Sequence, residues 1–166
     1  MDAREFAVWA HANQTYGDRP YVHHLEAVAS LVAFLDDPEQ VLVPVAYLHD
    51  VIEDTPVTAN FLREIFGTSI AVAVEYLTDP EEGTRRERKA VLHDRMSRLK
   101  TDLTEHRAAL IVKAADRCAN LSQCIQDDNG KLLNMYKAEH KAFRKAVMRP
   151  HLCPEIWEQI DNMVAR

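Results

Sequence analysis

His49 and Asp50, both able to ligate a metal ion, stand side by side at the end of the apolar run Val41-Leu42-Val43-Pro44-Val45-Ala46-Tyr47-Leu48. An imidazole and a carboxylate left unpaired among apolar side chains are costly. A divalent cation removes that cost, because neutral imidazole together with carboxylate suits Mn²⁺, Fe²⁺, Zn²⁺ and similar ions. Glu53 and Asp54 follow one helical turn later, and spacings of three and four place Glu53 over His49 and Asp50, and Asp54 over Asp50. Several carboxylates crowded on one helix end repel each other unless a cation sits among them or solvent covers them. This segment taken alone allows either arrangement.

Two further segments supply the same chemistry. In Tyr21-Val22-His23-His24-Leu25-Glu26-Ala27-Val28, histidines open an apolar helix. In Ile111-Val112-Lys113-Ala114-Ala115-Asp116-Arg117-Cys118-Ala119-Asn120-Leu121, an aspartate interrupts an apolar helix, and Asn120 lies one turn further on the same face. Asp116 has an alternative as an ion-pair partner of Lys113 or Arg117.

The elements that must position these groups are helices. Apolar residues recur at helical spacing through most of the chain, as in Leu25, Val28, Ala29, Val32 and Leu35. Four glycines in 166 residues leave little material for a turn-rich β architecture. At least seven helices are expected, separated by Gly17-Asp18-Arg19-Pro20, Asp36-Asp37-Pro38, Asp54-Thr55-Pro56, Gly67, Asp79-Pro80 with Gly83, Asp127 to Gly130, and Pro150 to Pro154. Pro44 must open a helix or kink one, with helix expected from there through Ile52. There is no internal repeat, and the length suits one all-α helical bundle over residues 1–166.

Composition narrows the function classes. A formal charge of −6 argues against broad binding to nucleic acid, which depends on Lys and Arg neutralising many phosphates. No stretch approaches the roughly 18 apolar residues of a membrane span, and the acidic start Met1-Asp2-Ala3-Arg4-Glu5 is unlike a signal peptide, so a cytoplasmic location is expected. Cys118, Cys124 and Cys153 are odd in number, contain no CxxC pair and read as reduced core thiols. Arg85, Arg86, Arg88 and Lys89 put four cations within the six residues from Thr84, enough to meet one small polyanion or to form a solvated helix start.

The order His, His-Asp, Asp resembles the HD superfamily of metal-dependent phosphohydrolases. More narrowly, Tyr21-Val-His-His24, Leu48-His49-Asp50-Val-Ile-Glu53-Asp54-Thr55, Phe66-Gly67 and Val112-Lys113-Ala-Ala-Asp116-Arg117-Cys-Ala-Asn120-Leu121 resemble the hydrolase domain of RelA/SpoT homologues and the small alarmone hydrolases, over roughly residues 3 to 125. The resemblance implies an HD-type fold and Mn²⁺ held by His24, His49, Asp50 and Asp116, with His23 as a supporting group. It also implies that Glu53 and Asp54 orient or activate water and that Asn120 positions water or substrate. The implied reaction releases pyrophosphate from the 3′ position of (p)ppGpp or a related nucleotide. Arg19, Arg85, Arg86, Arg88, Lys89, Lys113, Lys131 and Tyr136 are candidates to meet that small-molecule substrate. In Gln14-Thr15-Tyr16-Gly17-Asp18-Arg19-Pro20 the chain departs from the family, placing Thr15-Tyr16 where a basic pair is usual. Two alternatives accompany the leading expectation: an HD phosphatase for other nucleotides or phosphoesters, and a nucleotide sensor without catalysis. The segment from Lys131 to Arg144 reads as a packing helix with a wet face, on which Tyr136, Lys137 or Arg144 could instead close over a ligand.

Overall fold

The structure, a computed structural model, describes all 166 residues. Ten helices follow in order: α1 Ala3–Ala10, α2 Val22–Val32, α3 Leu42–Leu48, α4 Val51–Asp54, α5 Ala59–Phe66, α6 Thr68–Leu77, α7 Arg85–Ser97, α8 Thr104–Gln126, α9 Gly130–Val147 and α10 Pro154–Ala165. Their ends obey local chemistry. Asp2 with Glu5 and Thr84 with Glu87 form capping boxes at α1 and α7, while Thr58 and Asn129 cap α5 and α9 by accepting backbone N–H groups. Gly67 joins α5 to α6 at φ 87°, a conformation that costs a glycine little.

The centre of the molecule is α8. Thirteen of its 23 residues are buried, and α2, α3, α6, α9 and α10 pack around it. Its apolar side chains merge with those of its neighbours into one cluster of 38 buried residues, among them Leu25, Leu48, Leu62, Leu77, Leu110, Leu121 and Phe143. All three cysteines are buried and unpaired. No helix is long and apolar enough to cross a membrane.

Two local features depart from the sequence expectations. Residues 17–20, read as a plain separator, belong to a small antiparallel hairpin of β1 Thr15–Tyr16 and β2 Arg19–Pro20, with Tyr16 opposite Arg19 and Gly17 at φ 64° in the turn. Two-residue strands carry no alternation for a sequence pattern to register. Pro44 does lie in the first turn of α3, where a missing N–H is harmless. The helix does not run on through Ile52, however, but breaks at His49-Asp50 before α4. The joint keeps Asp54 one turn from Asp50, through the bond from the Asp54 N–H to the Asp50 carbonyl (2.9 Å).

Candidate metal centre and phosphate pocket

Three elements bring His24, His49, Asp50 and Asp116 to one point. His24 comes from the first turn of α2, the His49-Asp50 pair from the joint between α3 and α4, and Asp116 from the middle of α8. His24, His49 and Asp116 each direct one ligand atom to a spot where all three atoms lie within 4.8 Å of one another. The two Nε2 atoms are 3.3 Å apart, and Asp116 Oδ1 is 3.4 Å from His24 Nε2 and 3.9 Å from His49 Nε2. Asp50 joins from the side, its Oδ2 lying 3.0 Å from His49 Nε2 and 3.8 Å from His24 Nε2.

The donor set fits a divalent cation on its own chemistry. His49 Nδ1 is 2.7 Å from the Ala46 carbonyl, an acceptor that can only be met by an N–H. Neutral His49 therefore turns its Nε2 lone pair toward a second imidazole and two carboxylates. Backbone tethering of the outer ring nitrogen is how metal-binding histidines are oriented. Burial disfavours charge on His49, yet Asp50 and Asp116 outweigh it and raise its pKa to about 9. Burial pushes the Asp50 carboxyl up, but the neighbouring His49 outweighs it and holds Asp50 below the usual carboxylate range.

Around this centre a cavity of about 230 Å³ is lined by Tyr16, Tyr21, Glu53, Asp54, Asn120 and Tyr136, and by the cations Arg85, Lys89, Lys113 and Arg117. Its two halves differ electrostatically. Each cation already has a carboxylate: Lys89 binds Asp79 (2.7 Å), Lys113 approaches Asp116 Oδ2 (3.3 Å), and Arg85 and Arg117 share Glu139 (2.9 and 3.2 Å). Asp50, Glu53 and Asp54 make no such pair with Lys or Arg. Glu53 instead accepts the Asp79 N–H (3.0 Å), and the Tyr21 hydroxyl donates to Asp50 Oδ2 (2.5 Å) and lies 3.2 Å from Asp54 Oδ2. Burial raises the pKa of both Glu53 and Asp54. The acidic half thus has room for a cation, and the basic half can exchange carboxylate partners for phosphate oxygens.

Of the expected substrate contacts, Arg85, Lys89, Lys113 and Tyr136 line the cavity, while Arg19, Arg86 and Arg88 do not. On α7 the i, i+4 spacing puts Arg85 and Lys89 on the cavity side, and Arg86 and Arg88 fall on other faces. Arg19 projects from the hairpin toward a separate cavity of about 690 Å³ between α2, α8 and α10, which His23 also lines. That larger space has no carboxylate side chain in its wall to hold a cation. Lys131 is exposed and outside the site, and Arg144 pairs with Asp161 on α10.

Other groups escaped sequence reasoning. Arg117 pairs with Glu139 rather than Asp116, and its guanidinium stacks over Tyr136 (4.6 Å) and Phe143 (4.2 Å). Asp79 sat in what read as a separator, and Glu139 in a wet helix face. Only the tyrosine of Tyr21-Val-His-His24 carried a signal, since a phenol three residues before a candidate ligand is well placed to bond a neighbouring carboxylate.

Comparison with known proteins places this geometry. A sequence profile described as HD domain matches residues 3–138. The chain is 37% identical over 103 residues to guanosine-3′,5′-bis(diphosphate) 3′-pyrophosphohydrolase of Haemophilus influenzae, covering 61% of this chain and 15% of that protein. It is 32% identical over 113 residues to the bifunctional (p)ppGpp synthase/hydrolase SpoT of Escherichia coli, covering 68% and 16%. It is 33% identical over 118 residues to the GTP pyrophosphokinase rsh of Brucella abortus, covering 70% and 16%. The chain thus spans about 15–16% of the length of these curated relatives. Among solved structures, a metazoan ortholog of SpoT that hydrolyzes ppGpp superposes with a TM-score of 0.80 at 21% identity, over 98% of this chain and 92% of that one. A second, lmo0812 from Listeria monocytogenes, superposes with a TM-score of 0.65 at 20% identity, over 87% of this chain and 98% of that one. At those identities the two structures speak for the fold.

Proposed function

The chain belongs to the HD domain family, and from that premise we propose that it is a Mn²⁺-dependent phosphohydrolase that releases pyrophosphate from the 3′ position of (p)ppGpp or a related nucleotide. The observation that carries the reading is the convergence of His24, His49, Asp50 and Asp116 on one point, with Glu53 and Asp54 a helical turn beyond and four cations across the cavity. Two of the curated relatives named above, those of Haemophilus influenzae and Escherichia coli, carry hydrolysis of (p)ppGpp in their names, which supports the choice of substrate.

A divalent cation bound there lowers the pKa of water and withdraws charge from phosphoryl oxygens. The chain's own residues supply the remainder. Glu53 and Asp54, with carboxyl pKa values raised by burial, accept the proton of the attacking water. Asn120 orients water or substrate beside Asp116. As water adds to the 3′ phosphorus and the P–O3′ bond breaks, the proton taken up by the carboxylate passes to the leaving ribose 3′-oxygen, and Lys89, Lys113, Arg85 and Arg117 meet the negative charge of the pyrophosphate released. Tyr136, braced by Arg117, closes the far wall.

One observation favours a second reading. The cavity's 230 Å³ lies below the roughly 300–1,000 Å³ usual for pockets that hold drug-sized ligands, which suits a phosphatase for a smaller nucleotide or phosphoester. Metal-stripped protein resupplied with Mn²⁺ and offered ppGpp, ppApp and simple nucleotides separates the two. Pyrophosphate from an alarmone is the expected result. Phosphate from simple nucleotides alone would replace the proposal with the second reading. In the same assay His49→Ala and Asp50→Ala are expected to lose both Mn²⁺ and turnover, and retention of Mn²⁺ by either would remove that residue from the ligand set.

A further inference from the structure

The hairpin carries Tyr16, which touches His24, assigned above to the metal, and Asn120, which is bonded to a second such residue, Asp116. Its ring stacks on His24, with centroids 4.7 Å apart and planes 15° from parallel. Its hydroxyl donates to Asn120 Oδ1, while Asn120 Nδ2 donates to Asp116 Oδ1 at 2.5 Å. The orientation of that amide follows from its neighbours. Asp116 Oδ1 only accepts, so the amide must present its NH₂ there, and its carbonyl oxygen then needs a donor on the opposite side. Tyr16 is that donor. Asp116 Oδ1, held in turn by the amide NH₂, is the oxygen facing both imidazoles, 3.4 Å from His24 Nε2 and 3.9 Å from His49 Nε2, whereas Asp116 Oδ2 faces Lys113.

We propose that Tyr16 is a positioning residue for the metal centre: through Asn120 it fixes the amide that aims Asp116 Oδ1 at the cation, and through its ring it fixes the plane of His24. A neutral phenol suits the task, because it supplies a hydrogen bond without adding positive charge beside a dication. Tyr21, at the foot of the same hairpin, makes the matching contact to Asp50 and meets Tyr16 edge to face at 6.2 Å. The hairpin is thereby part of the centre's frame and not merely a connection. Supporting partners of this kind are typically worth about 10–100-fold in metal affinity.

The proposal rests on the metal-centre reading, and its test uses Mn²⁺ itself, titrated calorimetrically into wild type, Tyr16→Phe, Asn120→Ala and the double variant. Tyr16→Phe keeps the ring on His24 and removes only the hydroxyl; it is expected to weaken Mn²⁺ about tenfold at an unchanged metal-free melting temperature. Asn120→Ala is expected to weaken it at least as much. The double variant should be no weaker than Asn120→Ala alone, since the hydroxyl acts through that amide. Wild-type binding with Tyr16→Phe within twofold of it, or independent losses that multiply in the double variant, would overturn the role of Tyr16 alone. A melting temperature that falls in step with affinity would also overturn it, as loss of fold rather than of position. A wild type that binds no Mn²⁺ would remove the metal-centre reading and this proposal together.

Discussion

Glu53 accepts the backbone N–H of Asp79 through Oε2 at 3.0 Å, and Asp79 in turn holds Lys89 at 2.7 Å. One carboxylate oxygen of the proposed base is therefore tied to the loop that leads into α7, the helix that carries two of the cavity's four cations, Arg85 and Lys89. Burial raises its pKa, which brings a carboxylate closer to the range where it accepts a proton effectively. Glu53→Gln can still accept the Asp79 N–H through its amide oxygen, so the fold and bound Mn²⁺ are expected to persist. The turnover number is expected to fall about 100-fold or more. Unchanged turnover, with metal content measured on the same sample, would end the assignment of Glu53 as base.

With His49 as a ligand, proton and metal would compete for its Nε2. Burial opposes its charge, but Asp50 and Asp116 raise its pKa from the ordinary 6.5 to about 9 in the metal-free protein. A raised folded-state pKa contributes stability that is complete below 6.5 and is lost as pH climbs through 9. Metal-free protein should accordingly lose on the order of 3 kcal/mol between those limits, seen as a falling melting temperature. Mn²⁺ affinity should move the other way, rising with pH until His49 is neutral, with a proton released for each ion bound. A flat metal-free melting temperature from pH 6.5 to 9 would show that His49 is not charged in the cluster.

The candidate ligand and base residues were legible in the sequence because chemistry constrains their types and helix geometry constrains their spacing. The structure brings His24, His49, Asp50 and Asp116 together from three elements, and Glu53 and Asp54 fall a turn away as the spacing requires. What the sequence withheld is direction. Arg85 and Arg86 are identical in type, and only the position of α7 against α9 decides which one enters the cavity. Asp79 and Glu139 are partners across 10 and 54 residues for Lys89 and Arg85, distances at which no local pattern operates. The hairpin was invisible for want of length, and with it the bond from Tyr16 to Asn120.

Phe143 links the core to the cavity wall. It is 1% exposed, its ring lies 5.7 Å from that of Trp157 on α10, and the Arg117 guanidinium stacks on it at 4.2 Å. Truncating a buried phenylalanine removes its transfer free energy and leaves a void, at a cost of about 3–5 kcal/mol. For a chain of this size Phe143→Ala should lower the melting temperature by on the order of 10 °C. A drop under about 3 °C would mean that α9 and α10 relax into the space.

Arg85 and its neighbour Arg86 give the sharpest test of the phosphate side of the cavity. Arg85 lines it and holds Glu139 with Nε at 2.9 Å and Nη2 at 3.2 Å, a two-pronged geometry that a phosphate can take over. Arg86 follows it on α7, exposed and outside the cavity. Both lie in the first turn, so removing either perturbs the helix almost equally and leaves the capping box of Thr84 and Glu87 intact. A charge-assisted hydrogen bond to a ligand is worth about 1.5–3 kcal/mol, or roughly 10- to 100-fold in binding. Arg85→Ala is therefore expected to raise KM for ppGpp by at least about tenfold, and Arg86→Ala to leave it within about twofold. Steady-state kinetics of the two variants in Mn²⁺ decide the matter: equal effects on KM would mean that the segment acts through its net charge and not through one side chain in the cavity.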